Sequence, residues 1–220
     1  MYNFATAQTN EMQENGLTIK KTARYFTHGN LDVASSLLIC LHGYGQLPTY
    51  FGRKFETVDK NYFVVIPEGL HRFYLEGSAG RVGASWMTKE AREQDIQDNM
   101  NYLKQLLANL TSKKSFEKII LLGFSQGGAT ATRFYVNQLN IDHLILWACV
   151  FPPDLHIEEE INFEPNKNYF VLGSEDQYFN ETEQMNTIKF YKKKNFKILQ
   201  YSGNHSIDSI LLNDLLNKLK

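Results

Sequence analysis

Short apolar runs alternate with helix-like patterns over most of the chain. Runs with the length and composition of buried strands are Leu37–Leu41, Phe63–Ile66, Lys118–Leu122, His143–Trp147, Tyr169–Leu172 and Phe196–Tyr201. Segments with helical patterns lie between and after them, at Thr88–Leu110, Gly127–Gln138, Glu181–Lys193 and Ser206–Lys218. This alternation predicts an α/β fold with a mostly parallel central sheet and helices on both faces. Ala23–His28 is a candidate antiparallel edge strand.

The length and composition of the chain limit its organisation. The chain has 220 residues, of which 43% are hydrophobic and 21% charged, and it shows no internal repeat or linker. A chain of this size can bury a core without disulfides or a metal. We therefore expect one domain over residues 1–220, with residues 1–20 peripheral or partly disordered. Two stretches, Gly69–Met87 and Val150–Asn168, are expected to be long loops, too short for a large cap domain.

Charge and cysteine content exclude several classes of function. The net charge is −1, so the chain has no overall field that would attract nucleic acid. No apolar run reaches the roughly 20 residues of a membrane-spanning helix, and the first residues do not resemble a secretion signal. We expect no membrane insertion and a cytoplasmic location. Cys40 and Cys149 lie in apolar runs and are expected to be buried free thiols.

The motif GFSQGG, from Gly123 to Gly128, follows the apolar run Lys118–Leu122 and precedes a helical pattern. That context is typical of a nucleophile elbow, a sharp turn between strand and helix that exposes a serine hydroxyl. Side chains at Gly123 and Gly127 would collide across such a turn. We therefore predict that Ser125 is a nucleophile, with the positive end of the following helix close to it.

A serine nucleophile needs a base that accepts its proton and an acid that orients the base. In this type of fold the chain order is serine, acid, histidine. His205, in the turn between the last strand and the last helix, meets that order and is the candidate base; His156 lies in an acidic stretch and is expected at the surface. The acid follows the run Tyr169–Leu172, where Glu175 and Asp176 both qualify by position. The residues themselves leave that choice open.

The motif LHGYGQ, from Leu41 to Gln46, supplies a candidate oxyanion hole. Its glycines follow a strand-like run, where the backbone can approach a ligand closely. Two converging N–H groups stabilise the oxyanion of acyl transfer. We predict that these come from Gln126, directly after the nucleophile, and from Tyr44 in this loop. Trp86 and Phe151 are candidate walls of the substrate pocket.

Together, LHGYGQ, GFSQGG, an acid after GSED and a histidine before the last helix resemble the phospholipase, carboxylesterase and acyl-protein thioesterase-like serine hydrolases. The resemblance extends from about Leu37 to the end of the chain. It implies a small α/β-hydrolase fold without a cap domain. It also implies Ser125 as nucleophile, Asp176 rather than Glu175 as acid, His205 as base, and Tyr44 and Gln126 as oxyanion donors. The chain departs from the family pattern at Gln46, where an aspartate is usual, and around Ser174–Gln177.

The function expected from these features is hydrolysis of carboxylic esters through an acyl-enzyme on Ser125. The same carbonyl chemistry serves thioesters and lysophospholipids, so a thioesterase or lysophospholipase stays an alternative. A remote alternative is a ligand-binding protein without turnover on a hydrolase fold. No metal is expected, because no cluster has ligand spacing, and no cofactor is expected, because a phosphate-binding glycine motif is missing. The expected partner is a small acyl ester, with the protein a monomer or homodimer.

Overall fold

Among residues 12–138, 140–155 and 163–220, which a computed structural model describes, seven strands form a central sheet in the order β1-β3-β2-β6-β7-β8-β9. Their bounds are β1 Tyr25–His28, β2 Ser36–Leu41, β3 Tyr62–Pro67, β6 Lys118–Phe124, β7 His143–Trp147, β8 Asn168–Gly173 and β9 Lys197–Tyr201. Neighbouring strands run parallel, except that β1 is antiparallel to β3 at one edge. All six predicted strands and the predicted edge strand are confirmed, with ends that differ by up to two residues.

Helices pack on both faces of this mostly parallel sheet, as an α/β-hydrolase fold requires. Their bounds are α1 Pro48–Phe51, continued by a 3₁₀ turn over Gly52–Phe55, α2 Arg92–Thr111, α3 Gln126–Val136, α4 Glu181–Lys193 and α5 Ser209–Lys218. The prediction placed the start of α2 four residues too early, at Thr88. Ala91 has a left-handed backbone, with φ of 47°, and a helix cannot continue through that conformation.

The stretch Gly69–Met87 is a β-hairpin, not the irregular loop that we expected. Strands β4 (His71–Glu76) and β5 (Ala79–Ser85) pair as a separate two-stranded sheet. The two residues between them, Gly77 and Ser78, form the turn, and Gly77 has a positive φ of 58°. The hairpin docks on the loop after β2, because the N–H of Gly45 donates to the carbonyl oxygen of Ala84.

The second predicted loop, Val150–Asn168, is only partly described. Asp154 accepts hydrogen bonds from Arg92 and from the buried Arg133, which hold the start of this loop against α2 and α3. At the end of this loop, the described residues 163–167 form no strand or helix. His156 and most of the acidic stretch lie outside the described residues.

The core lies between the sheet and its helices. Strands β2, β3 and β8 are buried along their whole length, which explains why they read as continuous apolar runs. Cys40 and Cys149 are buried free cysteines, as predicted. In the described part of the chain, none of the helices has both the length and the apolar character to cross a bilayer.

Candidate active site

Ser125 lies at the sharp turn between β6 and α3. Its backbone has φ of 53° and ψ of −122°, a conformation that non-glycine residues rarely adopt. The turn is this tight because backbone atoms cross it closely. A Cβ on Gly127 would lie 2.4 Å from the carbonyl oxygen of Leu41, and one on Gly123 would lie 2.6 Å from Cα of Gly128. Glycine is therefore required at both positions, as the sequence indicated.

A chain of two hydrogen bonds joins Ser125 to His205 and Asp176. The Oγ of Ser125 lies 2.9 Å from Nε2 of His205, and Nδ1 of His205 lies 2.7 Å from Oδ2 of Asp176. The three residues follow the carboxyl ends of β6, β8 and β9, which meet at one edge of the parallel sheet. In this arrangement Asp176 can hold the Nδ1–H tautomer of His205 and leave Nε2 free to accept the serine proton.

The two neighbouring carboxylates that position alone could not separate have different partners. The Asp176 side chain is fully buried, and its second oxygen, Oδ1, accepts the N–H of Tyr178 at 3.0 Å. Glu175 points elsewhere, and its Oε1 accepts the hydroxyl of Ser202 at 2.8 Å. Of these two carboxylates, only that of Asp176 contacts the imidazole of His205.

The imidazole of His205 is held between two aromatic rings. Its centroid lies 4.9 Å from that of Phe124 and 4.5 Å from that of Tyr178. The His205 side chain is 12% exposed, so it remains reachable from solvent although its ring is packed. The two rings and the bond to Asp176 together restrict rotation of the imidazole.

The backbone N–H groups of Tyr44 and Gln126 have no acceptor within the described residues. The other N–H groups in the same loop are used. Gly43 donates to Oε1 of Gln46 at 2.9 Å, and Gly45 donates to the hairpin. Tyr44 and Gln126 are therefore free to donate to a ligand, which is what an oxyanion hole requires. Gln46, where the family usually has aspartate, helps to shape this loop.

The side chain of Gln126 is fixed at both ends. Its Oε1 accepts the N–H of Trp86 at 3.0 Å, and its Nε2 donates to the carbonyl oxygen of Met87 at 2.9 Å. Ser85 also contacts this amide through its hydroxyl. These bonds tie the start of α3 to the end of β5 and so position the backbone N–H of Gln126.

His42 is a buried structural residue below the loop. Its Nδ1–H donates to the carbonyl oxygen of Gly43 at 2.8 Å, and its Nε2 accepts the N–H of Gly69 at 2.9 Å. Burial lowers the pKa of His42 to about 4, because desolvation penalises the charged imidazole. The residue therefore stays neutral near pH 7 and bonds two backbone segments.

Trp86 does not line a pocket, which corrects the sequence prediction. The residue is 0% exposed and is absent from the walls of the two cavities beside the site. Its indole stacks near His42, with centroids 5.1 Å apart, and its Nε1–H donates to the His42 carbonyl oxygen. Burial of a large aromatic ring in the core stabilises the fold more than its exposure in a solvent-facing wall would. Phe151, the other predicted wall residue, does line a cavity.

Two cavities in the described part of the chain meet at His205. The larger, of about 680 Å³, is lined by Ser125 and Phe151, among others. The smaller, of about 420 Å³, lies between the loop after β2, the 3₁₀ turn after α1 and the hairpin, and we call it the hairpin cavity. Its hairpin wall was missed because Gly69–Met87 was interpreted as a loop. The Gly77–Ser78 dipeptide between two partly apolar runs was the signal that could have revealed it.

Comparisons with known proteins agree with this architecture. A family model described as phospholipase/carboxylesterase matches residues 8–220. Among solved structures, esterase PE8 superposes with a TM-score of 0.69 at 18% identity, covering 91% of this chain and 100% of that chain. An acyl-protein thioesterase 2 from Zea mays gives 0.67 at 17% identity, covering 90% and 98%. A Bacillus cereus carboxylesterase gives 0.65 at 16% identity, covering 89% and 92%. A comparison with curated protein sequences gave no significant match.

Proposed function

The chain belongs to the phospholipase/carboxylesterase family, and from this premise we propose that it hydrolyses carboxylic esters through an acyl-enzyme on Ser125. The observation that carries the proposal is the continuous hydrogen-bonded path from Ser125 through His205 to Asp176. A ligand-binding protein without turnover would have no need for this path or for the strained backbone of Ser125. A hydrolytic enzyme is thus the function that the geometry supports best.

In the proposed reaction, the Oγ of Ser125 attacks the ester carbonyl carbon while Nε2 of His205 accepts the hydroxyl proton. The carbonyl oxygen becomes an oxyanion, which the N–H groups of Tyr44 and Gln126 stabilise; in comparable enzymes one such donor contributes roughly 3–4 kcal/mol. The tetrahedral intermediate then collapses. The bond to the alcohol breaks, and His205 returns its proton to the leaving oxygen.

Water then hydrolyses the acyl-enzyme by the same steps, with water as the nucleophile and Ser125 as the leaving group. His205 accepts a proton from a water molecule, whose oxygen attacks the acyl carbon. As the second tetrahedral intermediate collapses, the bond to Oγ of Ser125 breaks, His205 returns the proton to this Oγ, and the carboxylic acid leaves. Asp176 stabilises the imidazolium that forms in each half-reaction and keeps the proton on Nδ1. Each half-reaction is then balanced in protons without a metal or cofactor.

Thioesters and lysophospholipids remain the second candidate class, because the attack on the carbonyl is the same for all three. One observation favours keeping them: the Zea mays structure that resembles this chain is an acyl-protein thioesterase. The single-domain organisation, the cytoplasmic location and the monomeric or homodimeric state stay predictions from the sequence.

The test is steady-state hydrolysis of p-nitrophenyl esters from acetate to decanoate by the wild type and by Ser125→Ala. We expect the wild type to turn over at least one of these esters and the variant to lose turnover by at least about 10³-fold. The melting temperature of the variant should stay within a few degrees. Equal rates in both proteins would refute the assignment of Ser125, and a folded wild type without turnover would refute the ester hydrolase.

A further inference from the structure

The hairpin cavity combines an apolar lining with two cationic side chains. Lys54 reaches it from the 3₁₀ turn after α1, and Arg81 reaches it from β5. The apolar part of the wall is formed by Leu47, Phe51, Leu75, Val82, Phe124 and Ile207. Catalytic His205 lies in the same wall, so a group in this cavity is adjacent to the proposed scissile bond.

Among the described residues, no carboxylate directly compensates the positive charge of this cavity. No carboxylate lines it, and within the described residues neither Lys54 nor Arg81 has an ion pair. Lys54 is half-buried, and Arg81 is exposed at the entrance. Both cations therefore keep contact with solvent and are available to pair with an anionic group of a ligand.

The larger cavity differs in this respect. Its arginines, Arg92 and Arg133, both bind Asp154, and Glu183 also lies in its wall. Lys89 is its remaining cation. Carboxylates therefore offset most of the positive charge there, whereas no described carboxylate lines the hairpin cavity or pairs with its two cations.

We propose that the hairpin cavity selects acyl substrates that carry an anionic group, a carboxylate or a phosphate, at the end of an apolar segment. The apolar segment would pack against the aliphatic and aromatic lining. The anionic group would bind Arg81 and Lys54 at the entrance, because guanidinium and ammonium groups form charge-assisted hydrogen bonds with such oxygens. This inference rests on the proposed function, since it names the substrate class of the same site.

The first experiment places the anionic group on the acyl side. It compares p-nitrophenyl hemiesters of succinate, adipate and suberate with the neutral p-nitrophenyl esters of the same acyl length. For the length that matches the cavity, we expect kcat/KM of the hemiester to exceed that of the neutral ester by about tenfold. A second arm places the group on the alcohol side, with acyl release from lysophosphatidate compared with release from the corresponding monoacylglycerol. Preference in either arm supports the inference and identifies the side.

Charge-removing variants assign the preference to particular residues. Lys54→Gln and Arg81→Gln should each lower the anionic-to-neutral ratio of kcat/KM by about threefold, and the double variant should remove the roughly tenfold preference, because each residue contributes part of the charge-assisted binding. The control Lys104→Gln changes an exposed lysine on α2, away from both cavities, and should keep the wild-type ratio. Lys89→Gln tests the larger cavity. If only Lys89→Gln lowers the ratio, the anion binds there and the inference is wrong.

Salt supplies an independent readout, because ions screen an exposed charge pair. The preference should shrink between about 0.1 M and 1 M sodium chloride, where the Debye length falls from about 10 Å to about 3 Å. A purely steric preference would not respond in this way. A ratio that is unchanged by salt and by both variants would overturn the inference.

The outcomes separate this inference from the proposed function. Hydrolysis of neutral esters without an anionic preference in either arm leaves the proposed function intact and refutes the inference. If no substrate is hydrolysed, the proposed function fails, and calorimetric binding of octanoate decides the inference. Octanoate should then bind the wild type at least about tenfold more tightly than the Lys54→Gln/Arg81→Gln double variant, and equal affinities would refute it.

Discussion

The indole Nε1–H of Trp86 donates a hydrogen bond of 2.8 Å to the carbonyl oxygen of His42, and both residues are fully buried. The same carbonyl oxygen lies 2.6 Å from the position that a Cβ on Gly127 would occupy. Trp86 therefore holds the loop after β2 against the first turn of α3. One candidate oxyanion donor, Tyr44, lies in that loop and the other, Gln126, in that turn, so we expect the contact to influence the distance between them.

Replacing the indole N–H should affect both stability and turnover. In Trp86→Phe the His42 carbonyl loses its partner, and we expect the free energy of unfolding to fall by about 1–3 kcal/mol. We also expect kcat to fall more than KM rises, because a displaced N–H of Tyr44 weakens oxyanion stabilisation chiefly in the transition state. Urea unfolding and steady-state kinetics measure the two effects.

A matched control for Trp86→Phe is Tyr62→Phe. The Tyr62 hydroxyl donates a buried hydrogen bond to the carbonyl oxygen of Leu216, which joins β3 to α5 rather than to the site. This variant should lose similar stability and keep kcat. Equal kinetic losses in both variants would mean that Trp86 acts only through stability.

The two adjacent carboxylates should respond differently to neutralisation. Asp176→Asn removes the charge that faces Nδ1 of His205 and favours the wrong tautomer, so kcat should fall by about 10⁴, the loss known for the same substitution in a serine protease triad. Glu175→Gln changes a group that bonds only to Ser202, and kcat should stay within about twofold. Steady-state kinetics at one pH separates the variants. The opposite order of losses would assign the acid to Glu175.

Stability should decrease in mild acid through His42. Burial lowers its pKa to about 4, while the unfolded chain keeps the usual value near 6.5. Between these values the unfolded chain binds the extra proton. His42 therefore contributes fully to the free energy of unfolding above about pH 6.5. This contribution, up to about 3 kcal/mol in total, is lost as the pH falls towards 4.

Urea unfolding of the wild type and of His42→Gln at pH 7.5, 5.5 and 4.5 measures this contribution. The difference in unfolding free energy between the two proteins should narrow as the pH falls. Burial also lowers the pKa of His143, so His143→Gln is the control for a second histidine with a shift in the same direction. Parallel curves for wild type and His42→Gln would show that His42 does not titrate in this range.

The central strands of the sheet could be predicted because they are buried on both sides. Runs such as Leu37–Leu41 and Phe63–Ile66 are continuously apolar, and alternation with helical patterns implies parallel order. The hairpin could not be found in the same way. Strand β4 is mostly exposed, so its pattern contains charges and lacks a continuous apolar signal. Its position on the loop after β2 depends on tertiary contacts, which local patterns do not contain.

The candidate site was predictable where chain order and motif coincide, as for Ser125 and His205. The choice between Glu175 and Asp176 depended on the family resemblance, because neighbouring residues in a turn share the same spacing. Trp86 was misassigned since an aromatic residue beside a motif can serve the core as well as a pocket. Lys54 and Arg81 were missed because they come together only when the hairpin docks beside the 3₁₀ turn.

The placement of β9 at the end of the sheet has a consequence for how activity responds to heat and denaturant. Among the described residues, this strand pairs with β8 alone; it is half-buried or exposed along its length, and the turn after it contains His205. Terminal strands of this kind open at lower cost than central ones. Fraying there would withdraw the imidazole while Ser125 stays anchored in the interior. On heating or in denaturant, loss of activity should therefore precede unfolding of the core, because His205 would leave the site first.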